Sequence, residues 1–113
     1  MSDIKLTKES EYVLTAMYKE FLDRYNQGVP RDKSKIFGHQ DNILDLVPEI
    51  PQQDIKELLS ELARCEVISV SPSANIFMFV SINTNGIIYM ENKLGKDVSK
   101  IVNWLLKTKS LFI

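Results

Sequence analysis

The sequence predicts a mainly α chain with a small β-hairpin, an α+β fold, and three observations lead there. Apolar residues recur at helical spacing: Ile55, Leu58, Leu59, Leu62 and Ala63 stand at offsets 0, 3, 4, 7 and 8, and Val98, Ile101, Val102, Leu105 and Leu106 repeat those offsets. Two apolar, extended runs, 66–70 and 76–82, flank Ser71-Pro72-Ser73-Ala74-Asn75, which is turn chemistry. Prolines and glycines fall between the periodic stretches and not inside them. With 113 residues the chain suits one domain over 1–113, a core unit over 8–93 followed by a C-terminal helix over 97–109.

The first helix is expected over 8–26, with Thr7 as N-cap. Val13, Ala16, Met17 and Phe21 form one stripe, and Leu14, Tyr18, Leu22 and Tyr25 form its neighbour. Together they make an apolar face so broad that the helix is either central to the core or shared with a second subunit. Gly28 and Pro30 end it. Arg31, Lys33 and Lys35 follow as a basic cluster, and Lys35-Ile36-Phe37 reads as a short edge strand. A helix over 40–47 turns Ile43, Leu44 and Val47 inward and stops at Pro48-Glu49-Ile50-Pro51. The next helix opens at Pro51, with Asp54 favourable to its dipole. On the returning strand, strict alternation sets Ile76, Met78, Val80 and Ile82 on one side and Phe77, Phe79 and Ser81 on the other, so the hairpin is expected to be covered on both faces. Ile87 to Lys93 reads as a short helix closed by Gly95.

The net charge of −1 provides no general attraction for nucleic acid, but the charge is polarised. From His39 to Glu66 seven acidic residues outnumber Lys56 and Arg64; from Lys93 to Ile113 five lysines face only Asp97. The longest apolar run, Ile76 to Val80, is far too short to cross a bilayer, and MSDIKLTKES has no apolar signal segment. One cysteine, Cys65, excludes an internal disulfide and suits a reducing, cytoplasmic setting; it reads as a small buried filler. With a single histidine, His39, the usual zinc ligands are missing, and His39 reads as a polar group at a helix start. Isolated glycines make no phosphate loop, and Asp41 and Asp45 face water. The expectation is therefore no enzyme, no cofactor and no metal. Aromatic residues on the apolar stripes, Trp104 included, read as core and not as base-stacking platforms.

Two stretches resemble a known class. "IKELLSELARCEVISV" looks like a recognition helix running into the first strand of a wing, with Cys65 where such proteins often carry glycine. "MFVSINTNGIIYMENK" is similar to the second wing strand and the T-x-x-G-x-x-Y-L helix start of small bacterial and phage winged helix-turn-helix proteins. The resemblance spans roughly 8–93. It implies a winged helix-turn-helix with an extra C-terminal helix, acting as a dimeric DNA-binding transcription regulator. Gln52, Gln53 and Lys56 would then meet base edges, and Arg31, Lys33 and Lys35 the phosphates. Glu57 and Glu61 on the same exposed side would repel phosphates, and the hairpin tip carries no lysine or arginine.

The alternative is a winged helix without DNA binding, presenting the acidic surface of its second and third main helices to a basic protein partner. A third option gives Lys93, Lys96, Lys100 and Lys107 to nucleic acid; otherwise they form a solvated face. A homodimer is also expected, because the first helix shows excess apolar face and the C-terminal end adds more. Its interface candidates are Val98, Ile101, Val102, Trp104, Leu105, Leu111 and Phe112.

Overall fold

The structure, a computed structural model, describes residues 4–73 and 76–110. Its elements run α1 (Lys8–Asn26), α2 (Arg31–Ser34), β1 (Ile36–Gly38), α3 (Gln40–Leu46), α4 (Gln52–Arg64), β2 (Ile68–Ser73), β3 (Ile76–Ile82), α5 (Thr84–Leu94) and α6 (Val98–Lys109). The chain is mainly helical with one antiparallel sheet in the order β1-β3-β2, an α+β architecture.

Helix α1 is the central element. The Thr7 side chain accepts a hydrogen bond from the Ser10 amide at its start. Its end is a Schellman turn: the Val29 amide donates to the Arg24 carbonyl and the Gly28 amide to that of Tyr25, with Gly28 at φ 97°. Residues 10 to 18 are buried without interruption, because α3, α4, α5 and α6 all pack around this helix. Most of the broad apolar face is thus packed inside the chain. Tyr25 departs from its expected stripe: it is half exposed, its ring stacked on Phe21.

Polar side chains of α1 tie the packing in place. Glu11, only 5% exposed, receives the Tyr89 hydroxyl of α5 at 2.8 Å and pairs with the Lys93 ammonium at 2.9 Å. A buried carboxylate with both partners in place is satisfied; without them it would be costly. The Tyr12 hydroxyl donates to Glu49 in the turn before α4, and the Tyr18 hydroxyl donates to the Gly95 carbonyl between α5 and α6. Burial foremost, followed by the Glu11 hydrogen bond and charge, pushes the Tyr89 hydroxyl up to about 12. Burial, then the Glu91 charge, pushes Tyr18 up to about 12.

Around this helix the predicted elements move by a residue or a few. The basic segment folds into the single turn α2, which no periodicity marks. The edge strand is Ile36–Gly38, α3 stops at Leu46 with Val47 as cap, and Pro51 is the N-cap of α4 instead of its first residue. His39 caps α3: its Nδ1 accepts from the Asp41 amide at 3.0 Å. Ile55, Leu58, Leu59 and Leu62 form the buried side of α4, with Ala63 packed partly against the core.

A second Schellman turn closes α4, from the Val67 amide to the Leu62 carbonyl and from the Glu66 amide to that of Ala63. Its left-handed residue is Glu66, at φ 62°, one position after Cys65. Asn83 and Asn85 donate side-chain amides to the Glu66 carbonyl, which lashes the start of α5 to this turn. Helix α5 begins at Thr84, earlier than expected, because the Asn83 side chain caps it through the Gly86 amide. Gly86 sits so close to the turn that a Cβ would lie 2.2 Å from the Val67 carbonyl oxygen. Cys65, read as a buried filler, is only partly buried at this cap.

The hairpin departs most from its sequence pattern. Ser71 pairs with Phe79 and Pro72 with Phe77, so Met78 is an extra residue and the register shifts there. A bulge of one residue exchanges the two faces. Phe77 therefore joins Val80 and Ile82 in the core, while Ile76, Met78 and Phe79 are 36%, 49% and 45% exposed. The expectation of a hairpin covered on both sides is corrected accordingly. Gln40, buried on α3, accepts the Phe77 amide at 2.7 Å, close to the bulge.

Candidate interaction surface

Helix α4 shows its polar side outward. Gln52, Gln53, Asp54 and Glu57 are exposed, and Lys56 is half-buried because its ammonium lies 5.7 Å from the centre of the Phe77 ring. Beside this face lies a depression of about 340 Å³, lined by Glu9 of α1, Glu49, Ile50 and Pro51 of the turn, and Asp54, Glu57, Leu58 and Glu61 of α4. Five carboxylates thus surround an apolar strip. Glu49 and Glu61 are partly engaged, by the Tyr12 and Thr7 hydroxyls. Glu9 comes from α1, remote from α4 in the chain, and Glu49 from the turn just before α4; helical periodicity on α4 alone gave no signal for either.

The six residues considered for DNA fall into two groups. Lys56 packs on Phe77, towards the hairpin tip, with Gln52 and Gln53 earlier on the same helix. Arg31, Lys33 and Lys35 lie at the other end of β3, where the Ile82 amide donates to the Lys35 carbonyl. Four residues of strand lie between Phe77 and Ile82, a span of roughly 15 Å at strand rise. The Arg31 guanidinium lies 5.6 Å from the Phe21 ring centre, beside the C-terminal part of α1. One compact footprint does not join the two groups.

The lysines near the C-terminus are divided as well. Lys93 is drawn to the buried Glu11 and Lys96 pairs with Glu91 at 3.6 Å, whereas Lys100 and Lys107 are exposed on α6. Of the dimer candidates, Ile101 is wholly buried in the core of its own chain and offers nothing to a partner. Val98, Val102, Trp104 and Leu105 are half-buried, while Leu111 and Phe112 lie outside the described residues. Leu106, not among the candidates, is 62% exposed. Val102, Leu105, Leu106 and Lys109 line a second groove, of about 380 Å³, against α1 and the end of α3.

Among the described residues, no three His, Cys, Asp or Glu side chains gather as a metal site would require, and no helix is long and apolar enough to cross a membrane. No protein-family model, curated protein or solved structure matches the chain.

Proposed function

We propose that the chain is a winged helix-turn-helix module given to protein contact, which presents the acidic side of α4 to a basic partner. Support for the winged architecture is the order of helix, strand, two helices and hairpin, with β1 closing the sheet on β3. The observation that carries the function is the ring of Glu9, Glu49, Asp54, Glu57 and Glu61 around Ile50, Pro51 and Leu58. A duplex laid along α4 would bring phosphates towards these carboxylates, whereas lysines or arginines of a protein would find complementary charge there. The compartment that fits this reading is the cytoplasm.

The test has two arms. Fluorescence polarisation with mixed duplexes at about 50 mM salt, where phosphate contacts are strongest, is expected to show no binding. Co-purification from the native host is expected to retain a basic protein that Glu57→Lys with Glu61→Lys releases. Duplex binding, or retention indifferent to that charge reversal, would remove the reading.

A dimeric DNA-binding regulator is the second reading, favoured by the exposure of Gln52 and Gln53 at the N-terminal end of α4, from which amide side chains reach base edges. Against it stand the acidic ring and the distance of Arg31, Lys33 and Lys35 from that end.

A further inference from the structure

Helix α6 carries two apolar stripes. Ile101 and Thr108 point into the core, whereas Val102, Leu105, Leu106 and Lys109, at offsets 0, 3, 4 and 7, form a second stripe about a quarter turn away. That stripe is one wall of the 380 Å³ groove. Tyr12 and Ala16 of α1 together with Leu46 and Pro48 supply the rest of its apolar lining. Leu106 stands 62% exposed on the rim of this groove.

The charges around it are self-complementary. Asp45 stands on the rim contributed by α3, and Lys109 on the rim contributed by α6. Neither is in an ion pair among the described residues, whereas the other charged groups of the lining, Lys19, Glu20 and Glu49, are held by Asp23, Arg24 and Tyr12. A two-fold axis passing beside Leu106 would lay the α6 of a second copy across this groove. Each Leu106 would then enter the opposite apolar lining, and each Lys109 would meet the opposite Asp45. Isologous contacts require this reciprocity, in which one patch complements itself.

From the second stripe and the Asp45–Lys109 rims, we infer that the groove between α1, α3 and α6 is the interface for a second copy of this chain. The inference does not rest on the proposed function: the two surfaces share only Glu49, and their tests use different substitutions.

Light scattering after size-exclusion chromatography of the full chain is expected to give twice the 13.0 kDa of one copy. Leu106→Glu, at an exposed position, is expected to give a monomer with an unchanged circular dichroism spectrum and a melting temperature that no longer depends on protein concentration. Asp45→Lys and Lys109→Glu, each alone, should weaken dimerisation by about tenfold or more, and together they should restore it, which a loss of folding would not do. A wild-type monomer at high concentration, a Leu106→Glu dimer, or a double variant no better than the single ones would overturn the inference. So would a chain ended after Ser110 that becomes monomeric while Leu106→Glu remains dimeric, because the contact would then belong to residues 111–113.

Discussion

The helical body and the hairpin obey different rules of burial. In the body, around α1 and α4, residues assigned inward by spacing are almost all inward: Val13, Met17, Ile55, Leu59 and Leu62 are fully buried. In the hairpin, the same kind of reasoning on β3 fails on both faces, since Phe77 goes in while Met78 and Phe79 stay out. The reason is geometric. A helical face is about 100° wide or more and tolerates a small phase error. A strand has a period of two, so the bulge at Met78 moves every residue on one side of it to the other face. A strand pattern is therefore only as trustworthy as the register, and register is a property of the partner strand.

Substitutions in the body and in the hairpin should differ widely in cost when measured on one scale. Leu59→Ala, in the buried face of α4, is expected to cost about 2–5 kcal/mol in urea denaturation. A cost under 1 kcal/mol would mean that the body is not packed as described. Gln40→Ala tests the seam between the two regions, since it leaves the Phe77 amide near the bulge without its acceptor. The expected loss is about 1–3 kcal/mol, together with faster amide exchange at Phe77. Glu66→Gly relieves the left-handed backbone after α4, where an L side chain is strained. It is expected to raise stability by about 0.5–1 kcal/mol, read as a higher denaturation midpoint. Phe79→Ser, on the exposed hairpin face, should shift stability by no more than about 0.5 kcal/mol. If it cost as much as Leu59→Ala, the outer face of the sheet would have to be covered in the native particle.

Much of the candidate surface was legible because it lies on one helix. Gln52, Gln53, Asp54 and Glu57 are outward on α4 for the same reason that Ile55, Leu58 and Leu59 are inward, namely 3.6 residues per turn. Glu49 already counted in the acidic stretch 39–66, whereas the contribution of Glu9 was not legible, because it reaches the surface through the packing of α1. The same limit applies to the basic residues. Arg31, Lys33, Lys35 and Lys56 form one positive set by composition, and the sheet register separates them by the length of a strand.

Local signals along the chain were enough for the α+β class, the spans of the longer helices to within a few residues, and the inward faces of α1 and α4, because backbone hydrogen bonding and apolar periodicity within a segment are local. How those segments share their surfaces depended on the packing of the whole chain. That packing buried the two stripes of α1 except Tyr25, drew Lys93 to Glu11, turned Phe77 inward at the bulge, and left Leu106 at the rim of an apolar groove. Each of these outcomes joins residues far apart in the chain, and no periodicity within one segment specifies the register or the neighbour on which they depend.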